Sequence, residues 1–498
     1  MGSGAAICIF FLVKNTDSSR SGNIYFHSVD EYLDRDQKLA RLTGLQDVSG
    51  ISEANGWTKI IPDSYGDWLK QREDRFNEFF LMGDKKIETP RLFHSYSQGV
   101  LTARDTWCFN GSDKKLAKNM YAMIDFYNSE VLRFNENFKG LDKKARGKYT
   151  DSFIDSNPEK ISWTRALKQD LAKGKKFSFH ESGVRECLYR PFTKQWMYFD
   201  RRFNEMVYQM PRIFPNAEDY NLMICVSGPG CIAGFSAIMS KVPVEFCVAA
   251  MKGGSQCFPL YLYDDPIEGP DQGGLFVTET PVKRRRDAIT DDGLIHFQAV
   301  YPDEEISKED LFYYVYGILH SADYRERFAD NLSKELPRIP AVNKAVDFWS
   351  YSNAGRSLAD LHLNYETVDP YPLTIESKGK LSDADYRVKK MKFAKKKDPE
   401  TGKSVNDRSK VIYNSRITIN SIPEAAWDYV VNGKAALTWV MERQAVTTHK
   451  ASGIVNDAND WAIETMGNPK YPLELFQRVV TVSLETQKIV NALPPLDI

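Results

Sequence analysis

Apolar positions recur along the chain on two periods, and the change of period divides it into elements. The opening run Ala5 to Val13 (AAICIFFLV) reads as a strand buried on both faces, and Ile24 to Val29 as a second strand after a polar turn; together they predict a hairpin. Asp30 is placed to cap a helix over Asp30 to Leu42, with Tyr32, Leu33, Leu39 and Leu42 among charges. TKII at Thr58 to Ile61 is strand-like, and Trp68 to Phe80 is amphipathic. Between Lys114 and Phe134 the spacing of Leu116, Met120, Met123, Ile124, Tyr127, Val131 and Leu132 predicts a helix burying one face. The lysine-rich, glycine-punctuated stretch Asn135 to Tyr149 then reads as a domain boundary.

Beyond it, Ile161, Ala166, Leu167 and Leu171 share one side of a basic helix over Lys160 to Lys176. Tyr220 to Phe258 breaks into short apolar runs separated by Gly and Pro, the pattern of a sheet or partial barrel. Leu311, Tyr314, Val315 and Ile318 predict a helix, and Ser321 caps a second carrying Tyr324, Phe328 and Leu332, ended by Pro337. The pair is expected to form a helical hairpin buttressing the sheet. In Arg387 to Lys410, Val388, Met391 and Phe393 alternate with lysines before a DPETGK turn, which predicts a β-hairpin. Pro423 starts a helix with Trp427, Val430 and Val431 inward, Gly433 closes it, and Pro472 to Leu493 forms a last long helix. The fold class is α+β: a mixed sheet of short strands buttressed by helices, with a helical C-terminal part.

Chemistry enters with Ser182 to Pro215. Eight aromatic residues there are interleaved with Arg185, Arg190, Lys194, Arg201, Arg202 and Arg212, against three acids. Two readings stand: rings and cations presented to a nucleic acid, or a core whose cations pair locally. Lys194 and Gln195 are of the types that contact guanine and adenine, so Arg190, Lys194, Gln195, Arg201 and Arg202 are candidate DNA contacts. Lys283, Arg284, Arg285 and Arg286 end a Gly- and Pro-rich loop, as a flexible arm toward phosphate would, or as a solvated loop neutralised by Asp265, Glu268 and Asp271. Arg387 to Lys410 holds ten Lys or Arg against three acids, and Lys389, Lys390, Lys395, Lys396 and Lys397 suit a DNA groove or the protection of a strand edge.

The whole chain is nearly neutral, with Lys+Arg 66 against Asp+Glu 67 in 498 residues, so attraction to a polyanion can come only from such patches. Seven scattered cysteines without a CxxC pair imply neither a disulfide framework nor zinc, and a reducing cytoplasm is expected. The opening apolar run is too short for a membrane span and lacks a signal-peptide pattern. Met1-Gly2-Ser3 before a fully apolar strand is what a chain starting inside a larger protein would present. GPG at Gly228 to Gly230 lacks the flanking residues of a phosphate loop and reads as a turn.

LYRPFTKQWMYFD with MPRIFP, then CFPLYLYDD at Cys257 to Asp265, then YYVYGILHSADYRERFADNLSKELPRIP at Tyr313 to Pro340, resemble in order the C-terminal part of Type ISP restriction-modification enzymes. Those single-chain bacterial proteins carry a nuclease, an ATPase motor, an N6-adenine methyltransferase and a DNA target recognition domain. The resemblance implies that residues 1–45 are the C-terminal edge of the methyltransferase sheet. Residues 46–150 would then connect to target recognition, 151–380 form the recognition core, and 381–498 the basic hairpin and helical end. SxGVxTxRD resembles the passage into target recognition near the flipped adenine, which makes Ser97, Gly99, Thr102 and Arg104 candidate backbone or phosphate contacts. A polar turn with a local Arg104 to Asp105 pairing is the alternative.

No methyl-donor loop, NPPY-type loop or ATP loop is present, so the fragment itself is expected to hold no cofactor. S-adenosylmethionine, ATP and Mg belong, by the resemblance, to the full-length enzyme. The expected partners are double-stranded DNA and the upstream domains of the same polypeptide, with no membrane and a monomeric state. An enzyme with an unrecognised site and a protein-interaction scaffold are the readings of other classes.

Overall fold

The structure, a computed structural model, describes residues 8–14, 22–29, 33–84, 89–264 and 283–498. Contact density separates two compact units, Met1–Arg72 and Glu73–Ile498, so the boundary expected within 135–149 lies inside the second.

In the first unit the expected hairpin is not formed. Residues 8–14 are exposed and carry no strand, and Ile24–Phe26 instead pairs antiparallel with Thr58–Ile60. The helix begins later than expected, Arg35–Leu45, where Asp34 and Gln37 form a reciprocal capping box; Asp30 lies outside the described residues. Neither Arg35–Leu45 nor Val48–Glu53 buries a residue, and Ile9, Phe11, Val13, Ile61 and Trp68 stand exposed. Among its described residues the unit thus shows many exposed apolar side chains, and Ile60 is its buried one.

The second unit closes around one continuous core. Helix Asp113–Asn137 buries the expected face, except that Leu132 is exposed. Met223–Ser227, Ala237–Ser240 and Ser255–Pro259 form an antiparallel sheet with Ser97–Gln98 at its edge. Phe109–Asn110, Thr193–Tyr198 and Val184–Arg190 form a second sheet. Residues 244–246, expected within a strand, join the two: Val100 N–H donates to Val244 at 2.8 Å, Phe246 N–H to Val100 at 2.9 Å, and Glu245 N–H to Leu188 at 3.2 Å. Gly99 permits this approach, since a Cβ there would lie 2.5 Å from the Glu245 carbonyl oxygen.

Helix Lys308–Ile318 packs against Ala345–Leu363, not against the expected partner after Ser321. Two glycines let the backbones meet, because a Cβ on Gly317 would stand 2.1 Å from the Tyr351 oxygen and one on Gly355 1.9 Å from that of Tyr313. Ser321 does cap Ala322–Arg327, and the chain bends at Phe328 before Ala329–Lys334. The basic hairpin forms as expected, Lys392–Lys397 against Ser404–Ile412, and continues through Ile417–Asn420 to Thr374–Ser377. After it, Pro423 leads into a single 3-10 turn, Val430 is exposed instead of inward, and the last helix spans Tyr471–Asn491. Among the described residues no helix is long and apolar enough to cross a membrane.

Candidate nucleic-acid interface

The aromatic and basic block is core. In Thr193–Tyr198 the alternation by twos turns Thr193, Gln195 and Met197 inward, Tyr198 at the strand end is buried as well, and Cys187, Leu188 and Arg190 are buried on the neighbouring strand. Arg190 is buried against Glu245, which also accepts from the Cys247 amide at 2.6 Å. Burial pushes the Glu245 carboxyl up to about 7, while the Arg190 charge opposes that shift. Lys194 donates to Glu366 at 2.6 Å, and Gln195 accepts from Asn456 Nδ2 at 3.1 Å. Trp196 packs on Trp461 at 5.7 Å and donates to Thr465. In this conformation Arg190, Lys194 and Gln195 serve long-range internal partners, and no DNA contact is assigned to them.

The segment from Ser97 to Asp105 is also interior. Ser97 Oγ donates to the Gln98 carbonyl at 2.7 Å and accepts from the Gln209 amide at 3.0 Å. Thr102 Oγ1 donates to Asp105 and accepts from the Arg104 amide at 3.1 Å. Asp105 further takes the Tyr189 hydroxyl at 3.2 Å and lies 3.9 Å from Arg190, so the local Arg104 to Asp105 pairing does not form. The turn is locked to residues 200–209 by reciprocal backbone bonds between Leu101 and Met206, 2.9 and 3.0 Å. On that second loop Arg201 is exposed, and Arg202 is bound to Asp200. Arg104 itself is only 4% exposed.

The cations after the Gly- and Pro-rich loop do not form an arm. Arg284–Asp287 is a strand paired with Tyr261–Asp264. Arg286 donates to Asp264, and Arg285 lies over the Tyr261 ring at 4.5 Å, while Arg284 and Arg285 remain exposed and Lys283 is half-buried. Residues 265–282, with the acids Asp265, Glu268 and Asp271, lie outside the described residues.

The hairpin is the exposed counterpart. Val388, Met391 and Val411 anchor it, Phe393 packs on Trp427 at 5.0 Å, and Asp398 holds the turn by accepting from the Thr401 amide at 2.7 Å. Lys389, Lys390, Lys395, Lys396 and Lys397 are all exposed. Lys392, Lys403 and Arg408, which sequence reasoning left unnamed, join them, and the same alternation that predicted the hairpin would have found them. Within the two strands the ion pairs among the described residues engage only Lys396, 3.8 Å from Asp407, and Arg408, 3.2 Å from Glu424. At its base lies a groove of about 350 Å³ lined by Phe393, Arg408, Trp427, Val430 and Lys434.

The profile of the Type ISP C-terminal specificity domain matches residues 91–475. The chain belongs to that family. The specificity domain is similar to a nuclease-deletion mutant of the Type ISP restriction-modification enzyme LlaGI in complex with a DNA substrate mimic: 34% identity, TM-score 0.78, over 97% of this chain and 40% of that one. The ATP-dependent Type ISP enzyme LlaBIII bound to DNA is 33% identical, with TM-score 0.79, over 98% and 28%. A DrdV-DNA complex is 29% identical, with TM-score 0.74, over 96% and 44%. The chain spans less than half the length of each of these solved chains. Comparison with curated proteins returned no match.

Proposed function

We propose that the chain binds a short asymmetric site in double-stranded DNA as the target recognition region of a Type ISP restriction-modification enzyme. It presents an adenine for N6 methylation by the upstream methyltransferase and licenses the motor and nuclease of the same polypeptide, as a monomer in the cytoplasm. S-adenosylmethionine, ATP and magnesium are bound in this proposal by other parts of that polypeptide. The observation that carries it is the exposed face of the basic hairpin, set inside the stretch that matches the specificity domain. The lysines of that face are exposed, and those with partners hold only surface ones, Asn406 for Lys395 at 2.7 Å and Asp407 for Lys396 at 3.8 Å, so they are available to phosphate; each phosphate contact releases counterions and makes affinity salt-dependent.

Of the candidate contacts, Arg201, Arg284, Arg285, Lys389, Lys390, Lys395, Lys396 and Lys397 are on the surface and are the ones retained for the backbone. The test is selection of duplexes from a random pool by the purified chain, followed by binding of the selected duplex across a salt series. A recovered sequence motif and a steep fall of affinity with salt are expected. Recovery of no motif, or salt-independent binding, overturns the proposal.

A further inference from the structure

Among the described residues of the second unit, Arg104 is a deeply buried charge whose guanidinium has no hydrogen-bonded partner. Its Nε and Nη1 are buried and make no hydrogen bond, although burial lowers the guanidinium's pKa and so works against the charge. Glu205, on the loop locked against the 97–105 turn, is close enough to exert an electrostatic pull on Arg104, yet its Oε2 is likewise buried and unpartnered. Opposite charges in a low-dielectric interior close into a pair unless something holds them apart. Here both backbones are pinned. The Arg104 amide donates to Thr102 and its carbonyl accepts from Trp107 at 2.9 Å and Cys108 at 3.1 Å. Glu205 stands between Asn204, whose side chain donates to the Tyr198 carbonyl at 3.1 Å, and Met206, which is bonded to Leu101. Their chain neighbours face solvent: Ala103 is exposed in the left-handed region at φ +54°, and Met206 is half-exposed.

A separated donor and acceptor complement a ligand that sets an acceptor beside a donor. A phosphate has acceptors only and would be repelled by Glu205, whereas the major-groove edge of a base pair has both. In G·C the guanine O6 and N7 accept beside the cytosine N4 amine, and in A·T the adenine N7 accepts beside its own N6 amine. We propose that Arg104 and Glu205 are a specificity-determining pair that reads one base pair, Arg104 donating to the purine acceptor and Glu205 accepting from the exocyclic amine. The inference rests on the DNA-binding reading above. It requires the Arg104 and Glu205 side chains to turn outward on binding while the backbone bonds of the two loops stay in place, so that the guanidinium reaches the groove.

Arg104→Met, Arg104→Lys, Glu205→Gln and the wild-type chain are compared in two measurements: thermal unfolding without DNA, and selection from a random duplex pool with quantified discrimination at each position. Removal of an unsatisfied buried charge leaves Tm unchanged or raises it in Arg104→Met, whereas loss of a structural tie lowers it by several degrees. The same single base pair loses about 5- to 100-fold of discrimination in Arg104→Met and Glu205→Gln, with the rest of the motif intact. Arg104→Lys, which keeps the charge but not the planar fork, is expected to lose part of it.

Motifs unchanged in folded variants overturn the pair as a reader and leave the DNA-binding function standing. A uniform loss over all duplexes with a salt slope shallower by about one unit makes Arg104 a phosphate contact instead. Lowered Tm with an intact motif makes the pair structural, its gap bridged by an ordered water only. A wild-type chain that selects no motif overturns the function itself, and this inference with it.

Discussion

Two cation-bearing stretches have opposite fates in this molecule. In the strands within 182–215, Arg190 and Lys194 are folded inward onto carboxylates far away in the chain, Glu245 and Glu366. In the hairpin at 392–412 the cations stay outside, and the few acids nearby engage only some of them. The presence of cations does not separate the two cases. The difference lies in the second face: the strands of the first stretch are covered on both sides by core, while the hairpin has one apolar side, Phe393 and Val411, and one that faces solvent. A cation on a doubly covered strand must find a carboxylate or lose its charge, so it becomes architecture, and only the singly covered strand leaves cations for a ligand.

The strongest way to break the comparison is to unpair the interior. Glu245→Ala leaves Arg190 as a buried charge without its counter-ion and removes the acceptor of the Cys247 amide, which is expected to cost about 3–5 kcal/mol in denaturant unfolding. Replacing both partners, Arg190→Met with Glu245→Leu, restores much of that stability. A Glu245→Ala chain as stable as wild type would remove the assignment of this block to the core.

The surface is tested by the triple change Lys395, Lys396 and Lys397→Ala. The salt slope of duplex binding is expected to flatten by up to about three units, roughly 0.9 for each phosphate that is no longer neutralised, for cognate and scrambled duplexes alike. Tm should hold, because these side chains are exposed. A reduction confined to one sequence would make the hairpin a base reader.

Histidines sharpen the contrast by pH, since the hairpin has none. His362 lies among buried rings, its Nδ1 2.6 Å from the Tyr316 hydroxyl and its Nε2 2.9 Å from Thr486 Oγ1, and burial followed by the Arg325 charge lowers its pKa to about 3. His320 is lowered as well, first by burial. A lowered histidine pKa means that the unfolded chain takes up the proton first, so this stability is complete above about 6.5 and is lost as pH falls toward 3. For His362 alone the loss at pH 5 is about 2 kcal/mol. Glu245, raised from 4.5 to about 7, acts in the opposite sense and loses stability as pH rises through that window. The quantity to measure is therefore the difference in pH slope between wild type and His362→Gln, and equal slopes would contradict the assignment.

Most of the local structure was legible from periodicity: the long helix at Asp113–Asn137, the three strands between 223 and 259, the basic hairpin and the terminal helix follow from apolar spacing alone. What spacing could not reach were pairings set by distant residues. The expected arm at 283–286 is a strand because Tyr261–Asp264 supplies an edge and Asp264 a counter-charge to Arg286. Helix Ala345–Leu363 went unread because the stripe it buries, Phe348, Tyr351, Leu358 and Ala359, is interrupted by Ser352, Gly355 and His362, and its close packing on Lys308–Ile318 depends on glycines at 317 and 355. The candidate contacts differ in the same way: the hairpin lysines are exposed on strands the local sequence predicts, whereas the places of Arg190, Lys194 and Gln195 depend on Glu245, Glu366 and Asn456.

Gln195 makes the smallest and most discriminating test. From its neighbours in sequence it suits a bidentate contact to adenine. In the fold it is 8% exposed, and its Oε1 accepts from Asn456, whose own Oδ1 accepts the Gly111 amide at 3.0 Å. That chain of bonds ties the strand Thr193–Tyr198 to the segment around 455–457, beside the turn where a Cβ on Gly111 would stand 2.5 Å from the Asp457 carbonyl oxygen. Truncation leaves the Asn456 amide without its acceptor in a half-buried position, a loss of about 1 kcal/mol. Gln195→Ala is thus expected to lower Tm by a few degrees while the folded fraction discriminates between cognate and scrambled duplex as well as wild type does. Unchanged Tm with discrimination reduced by about 1–3 kcal/mol would place Gln195 on the bases and move the boundary between the two regions into the block itself.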